Sequence, residues 1–338
     1  MAIRIPTAKE LRSIKHYYGF KYLLNSQTHE SIFQKLQIEA KYKDLSKLKV
    51  LDLYPGPSNH SALFVNLFKP AQYMLMDSRP DFLRHIESFT KGTSLQFYKH
   101  DPYEWKSYID LIEKDKLFIP SIKPRDLVHD ECLVIANLTG MIGEGLFMQW
   151  LACIGNKNWL QKYGRIRMLV WVPESTAIKV LAKPGEQIRS KCSVVADTFT
   201  DTRLIATTNS TSLRKFNSKI LEKHEPILFP TEDIWLTGGK PISLLEVTPK
   251  EHNVDLDNWD YVTKHLLILK STPLLEALDS LGHGAKDYFT GKLDREFLKK
   301  TAKDLDTEEF LYLTNLFDKW PFKPDIYMDF IDVFQDND

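Results

Sequence analysis

Apolar residues fall in short, almost unbroken runs along the first two thirds of the chain. They read "KVLDLY" (49–54), "QYMLMD" (72–77), "SLQFYK" (94–99), "CLVIANL" (132–138), "RMLVWV" (167–172) and "ISLLEV" (242–247). Runs of this length without alternation suit strands buried on both faces. Stretches with helical spacing, such as "PDFLRHIES" and "GLFMQWLACI", lie between them. Strand–helix alternation predicts an α/β fold, a doubly wound, Rossmann-like parallel sheet with helices on both faces. In such folds ligands bind beyond the carboxyl ends of the strands.

After "VTPKEHNVDLDNWD" the pattern changes. "WDYVTKHLLILKS", "LLEALDSLG", "DREFLKKTA" and "DTEEFLYLTNLFDKW" carry helical spacing and little strand character. Glu308 and Glu309 follow Thr307, as acids do at a helix start. "LGHG" (281–284) reads as a glycine helix cap, with no ligand role for His283. Three regions follow: an α/β domain at 1–252, a small all-helical domain at 253–325, and a flexible acidic tail at 326–338. From 325 onward the chain has five aspartates and no base, with Tyr327, Phe330 and Phe334 among them.

Charge refines this picture locally. Lys plus Arg and Asp plus Glu both number 45, so the net charge is zero and bulk electrostatics select no partner. From Gly155 to Lys223, however, 13 bases face 5 acids, a net of +8. Lys157, Lys179, Lys183, Arg189 and Lys191 lie in this segment as candidate phosphate contacts; a plain solvated surface has equal weight. Three separated cysteines, Cys132, Cys153 and Cys192, form no CxxC pair, so no metal site is expected and a reducing compartment is. No run approaches the roughly 20 apolar residues of a membrane span, so no membrane role is expected. The basic N-terminus (Arg4, Lys9, Arg12, Lys15 and Lys21 against Glu10) is either a weak mitochondrial address or a solvated helix at the domain edge.

The predicted strand ends bring chemistry together. Asp52 sits in the first strand, Asp77 ends the second, Asp101 follows the third, and Asn137 ends the fourth. An acid at the second strand end suits a ribose diol. An acid after the third suits an exocyclic amine, although Asp101 before Pro102 equally suits a helix start. Beside these lies "DPYEWKSY", in which Tyr103 and Trp105 offer aromatic faces for unpaired bases.

The order of these motifs resembles the rRNA adenine dimethyltransferase superfamily. "YGFKYLLN" is similar to its N-terminal motif and "VLDLYPGPS" to its cofactor loop. "MLMD", "HDPY" and "ANLTG" fall where its ribose acid, adenine-side acid and catalytic motif belong. "MLVWVPESTAIKVLAKPGEQIRSKCSVV" (168–195) keeps Ala182, Pro184, Gly185 and Ser193 in register. The resemblance implies an S-adenosylmethionine-methyltransferase type of fold.

The departures are specific. Tyr54 and Ser58 replace small residues flanking Gly56 in the cofactor loop, where glycine permits close approach and positive φ. Thr139 and Gly140 replace the proline and the stacking aromatic of the catalytic motif, and Gly140 cannot stack on a flipped base. The expectation is a non-functional pocket, no cofactor and no catalysis.

Further stretches, among them "GEGLFMQWLACIGNKNWL", "VDLDNWDYVTKHLLILK" and "KWPFKPDIYMDF", resemble the mitochondrial transcription factor B branch over the whole chain. That branch implies the mitochondrial matrix, a single-subunit mitochondrial RNA polymerase as partner, melting of promoter DNA, capture of the non-template strand, and a monomer when alone. The aromatic tail would enter the polymerase cleft. Two other readings stand beside this one: an active rRNA adenine N6-dimethyltransferase, and an inert subunit of a mitochondrial ribosome.

Overall fold

The structure is a computed structural model that describes residues 2–14, 19–235 and 240–326. Tyr327, Phe330 and Phe334 lie outside the described residues. The chain divides into two compact units, Met1–Leu181 with Val195–Glu251, and Ala182–Val194 with His252–Asp338.

The first unit holds an eight-stranded sheet. Its strands are β1 (Lys49–Leu53), β2 (Gln72–Met76), β3 (Leu95–Tyr98), β4 (Val128–Asn137), β5 (Arg165–Pro173), β6 (Thr200–Thr208), β7 (Ile227–Phe229) and β8 (Ile242–Pro249). The order across the sheet is β3-β2-β1-β4-β5-β8-β6-β7. Strands β3, β2, β1, β4 and β5 are parallel neighbours, as the apolar runs predict. Every residue from Val50 to Leu53 is buried, so both faces of β1 are covered.

Beyond β5 the all-parallel expectation fails. Strand β8 runs antiparallel between β5 and β6. Strand β6, "TDTRLIATT", starts with four polar residues and so escapes a search for apolar runs. After the buried Thr200, its exposed Asp201 and half-buried Thr202 and Arg203 break the pattern, and unbroken burial starts at Leu204.

Two buried acids inside this unit are met by side chains, although one oxygen of Asp52, Oδ1, is buried without a hydrogen-bond partner. The Asp52 carboxylate oxygen Oδ2 accepts from Ser61 Oγ (2.6 Å) and Tyr73 OH (2.8 Å) and lies 2.9 Å from His60 Nε2. Glu246 on β8 meets three bases: Lys41, Arg167 at 3.2 Å and Arg203 at 3.5 Å.

The N-terminal helix Ala8–Ser13 is closed by a capping box between Thr7 and Glu10, and its Leu11 is fully buried. Residues 8–13 therefore fold onto the first unit, with Arg12 donating to the Glu232 carbonyl at 2.7 Å. Among the described residues no helix is long and apolar enough to cross a membrane.

The second unit is helical, with α1 (Leu256–Ile268) and α2 (Thr307–Asp318) as its longest elements. Asp306 caps α2 in a box with Glu309, so the acids at 308–309 do mark a helix start. Gly282, at φ +140°, closes a short 3₁₀ turn, and the exposed His283 follows it.

Residues 182–194 were expected in the α/β domain and group instead with the helices. The cause is a set of backbone bonds. Gly185 N donates to the Lys303 carbonyl (3.0 Å), and Lys270 Nζ to the carbonyls of Gln187 (2.8 Å) and Arg189 (3.1 Å).

Candidate functional site

The parallel strands end in one row. Tyr98 pairs with Met76, Met76 with Leu53, and Leu53 with Ala136. The residues that follow, Tyr54, Asp77, Asp101 and Asn137, therefore form the rim at the carboxyl edge of the sheet. This is where the sequence placed the site, and the first unit brings those residues together.

Tyr54 stands at φ +53° and Ser58 at φ +61°, with Gly56 between them at +59°. The loop thus keeps a backbone made for glycine while two of its residues carry side chains, at a cost of about 1 kcal/mol or more each. Ser58 is fully buried and its hydroxyl donates to the Gly56 carbonyl at 3.2 Å. A Cβ at Gly56 would lie 2.7 Å from Phe20, so the ring covers the loop.

The groups that would hold a cofactor are bonded to the protein itself. Asp77 accepts three bonds from Arg79: from the backbone N (2.9 Å), Nε (2.8 Å) and Nη2 (2.5 Å). The Arg79 guanidinium lies 4.0 Å from the Phe20 ring centre, 4.9 Å from Tyr54 and 4.7 Å from Phe82. Asp101 accepts from the Tyr54 hydroxyl and from the Tyr103 backbone N at 2.9 Å. Burial, together with Asp101, pushes the Tyr54 phenol well above its usual pKa, so it stays a donor. A ribose diol would have to displace charge-assisted bonds at both oxygens of Asp77, and an adenine amine would share Asp101 with Tyr54 and the Tyr103 backbone.

Asp101 does not cap a helix. The next helix starts at Trp105, with Glu104 at its cap, and Asp101 closes a local turn instead.

The catalytic-motif positions are likewise bonded internally. Asn137 Nδ2 donates to the Lys21 carbonyl (2.8 Å), Asn137 Oδ1 accepts from Thr139 N (3.1 Å), and the one hydroxyl hydrogen of Thr139 is shared between the Lys21 carbonyl (2.7 Å) and Asn137 Oδ1 (2.8 Å). Both ends of the Asn137 side-chain amide are thus engaged within the protein. Sequence reasoning missed Arg79 and Phe20. The available signal was "DSRP", which puts a base two residues after the ribose-position acid.

The aromatic candidates sit beside this rim. Tyr103 is 47% exposed. Trp105 is half-buried and meets Trp159 edge-on, with ring centres 6.0 Å apart. Trp159 stacks on the fully buried Trp150 at 4.8 Å and meets Tyr108 edge-on at 5.3 Å. Trp105 therefore rests on a fixed aromatic column.

The basic candidates fare differently. Arg189 is 0% exposed and donates to the carbonyls of Ala182 (2.8 Å) and Leu305 (3.2 Å). It is a correction: a buried guanidinium that ties backbone together does not reach a phosphate. Lys157 pairs with Glu251 (2.5 Å), Lys179 with Glu144 (2.6 Å) and Lys191 with Asp260 (2.5 Å). Lys183 is half-buried, and its backbone N donates to Glu186. Lys157 and Lys179 belong to the first unit, and Lys183, Arg189 and Lys191 to the second. The uniform stripe of the sequence is therefore a set of ion pairs plus one interior arginine. Among the described residues no group of three His, Cys, Asp or Glu side chains is placed to hold a metal ion.

Known proteins are similar to this chain over most or all of its length. The family "Ribosomal RNA adenine dimethylase" matches residues 11–319. The chain is 64% identical to "Mitochondrial transcription factor 1" of Lachancea kluyveri over all of both chains. It is 49% identical to the protein of that name from Saccharomyces cerevisiae, over 99% of this chain and 98% of that one. A crystal structure of a dimethyladenosine transferase from Plasmodium falciparum superposes with a TM-score of 0.54 at 16% identity, covering 86% of this chain and 96% of that one. At that identity it supports the methyltransferase-type fold alone.

Proposed function

The chain belongs to the ribosomal RNA adenine dimethylase family, beside full-length relatives named mitochondrial transcription factor 1, and from that membership we propose that it is a mitochondrial transcription initiation factor and not a methyltransferase. It works in the mitochondrial matrix with the mitochondrial RNA polymerase. It helps the polymerase to open promoter DNA and holds the unpaired non-template strand.

The observation that carries this reading is the internal closure of the rim. Arg79 occupies Asp77, Tyr54 occupies Asp101, and Lys21 occupies Asn137. S-adenosylmethionine would have to compete with these internal bonds, and on this reading no cofactor is used. Phe20, Tyr54 and Arg79 fill the former pocket as core.

What faces outward is a pair of aromatic groups, Tyr103 and Trp105. Unpaired bases stack on such groups without regard to sequence, at about 1–3 kcal/mol each. Lys157 and Lys179, on the same unit as the aromatic pair, supply the anionic backbone with counter-charge. Their present ion pairs are partly exposed and worth about 0–1 kcal/mol, so each can exchange its carboxylate for a phosphate.

The test is run-off transcription from a linear duplex promoter by the mitochondrial RNA polymerase, with and without this chain. The expected result is specific transcript only when the chain is present. Equal output in its absence would refute the reading.

A further inference from the structure

The turn that replaced the catalytic motif projects two large apolar side chains into solvent. Met141 is 81% exposed and Ile142 is 55% exposed. Globular surfaces carry scattered apolar residues, but these two are adjacent and sit on a turn that cannot yield. Gly143 N donates to the Gly140 carbonyl at 3.1 Å, and a Cβ on Gly143 would lie 1.9 Å from the Leu138 oxygen. Leu138 N is held by the Trp171 carbonyl at 2.7 Å, and Thr139 by Asn137 and Lys21. Met141 sits over Gly19, where an added Cβ would touch its Cγ at 3.5 Å. The backbone of the turn is therefore held, and it presents both side chains to solvent.

Charges of both signs lie near the turn: Glu144, paired with Lys179 at 2.6 Å, and the bases Lys21 and Lys240. Lys21, bonded through its own N to Thr139 Oγ1 (2.9 Å), is adjacent to the turn. Burial, and then the nearby charge of Lys240, holds the Lys21 ammonium below its usual pKa. Two ammonium groups that disfavour each other gain from an anion placed between them. Apolar tips flanked by like positive charge match one ligand chemistry, that of a nucleobase on a phosphodiester strand.

The position fits the same ligand. The turn lies beyond the end of β4, and Tyr103 and Trp105 lie beyond the end of β3. The strand order puts three strand spacings between those ends, roughly 14 Å at about 4.8 Å each. A short run of unpaired nucleotides spans that distance along the closed rim.

We propose that Met141 and Ile142 form an apolar wedge that packs against a promoter base at the edge of the opened region, with Lys21 and Lys240 contacting the phosphates beside it. The wedge holds the duplex edge open, while Tyr103 and Trp105 hold the strand beyond it. This rests on the transcription reading above, and its failure can be told apart from the failure of that reading.

The test uses the full chain with the mitochondrial RNA polymerase and a promoter supplied both as duplex and with its start region pre-melted. The wild-type chain should stimulate both templates. A chain carrying Met141→Ser and Ile142→Ser should lose about tenfold or more on the duplex and recover on the pre-melted template. Its thermal midpoint and the salt dependence of its promoter binding should match the wild type, whereas Lys21→Gln should lower the salt slope by about one. Unchanged duplex transcription, equal loss on both templates, or a lowered thermal midpoint in the double variant would each overturn the wedge. Failure of the wild-type chain to stimulate either template would overturn the transcription reading and the wedge with it.

Discussion

Trp105→Ala should cut run-off transcription from a duplex promoter by about 5- to 150-fold, the equivalent of one lost base stack of about 1–3 kcal/mol. The ring is poised for this role by its support. Its edge lies against Trp159, which is itself stacked on the buried Trp150. A stacking surface held in place loses little side-chain freedom on binding, so most of the stacking energy is retained. Tyr103, which is exposed and bonded to Asp101 through its backbone N, should add a smaller loss of its own. On a pre-melted template the Trp105 variant should regain most of its output, because opening no longer has to be sustained by captured bases. An equal loss on both templates would place Trp105 in the aromatic column alone, and not on DNA.

Glu246→Ala should destabilise the first unit by about 3–5 kcal/mol, read as a fall in the urea midpoint. Glu246 is 2% exposed and is shared by Lys41, Arg167 and Arg203. Removing it leaves three positive groups facing each other. Arg167 is only 9% exposed, and its Nη1 already lacks a partner. Lys41→Met should cost much less, since two bases still share the carboxylate. Glu246→Gln should fall between the two, keeping hydrogen bonds and losing charge. A change below about 1 kcal/mol for Glu246→Ala would mean that the three bases find solvent or other acceptors unaided.

Much of this was readable from the chain. The apolar runs marked six of the sheet's eight strands, because strands covered on both faces are mostly apolar even where they hold a paired acid such as Asp52 or Glu246. They could not mark β6, whose first four residues are polar, nor show that β8 turns antiparallel. Direction is set by the connection, and the connection to β8 passes through short elements with no strong pattern. The rim residues were readable in the same way, since each follows a strand end. Their partners were not. Arg79 pairs with an acid two residues away, a spacing common to many turns, and Phe20 reaches Gly56 from 36 positions earlier. The basic segment failed for a different reason. Counting charges in sequence cannot tell Arg189, buried against carbonyls, from Lys179 on the surface.

The central claim is that the protein's own side chains have taken the place of a cofactor. It is tested most directly by titrating S-adenosylmethionine into the wild-type chain in a calorimeter. With Asp77 held by Arg79 and Asp101 by Tyr54, the expected result is no saturable heat up to about millimolar ligand. Saturable binding with a dissociation constant in the micromolar range, about −8 kcal/mol, would contradict it and return the chain to the methyltransferases.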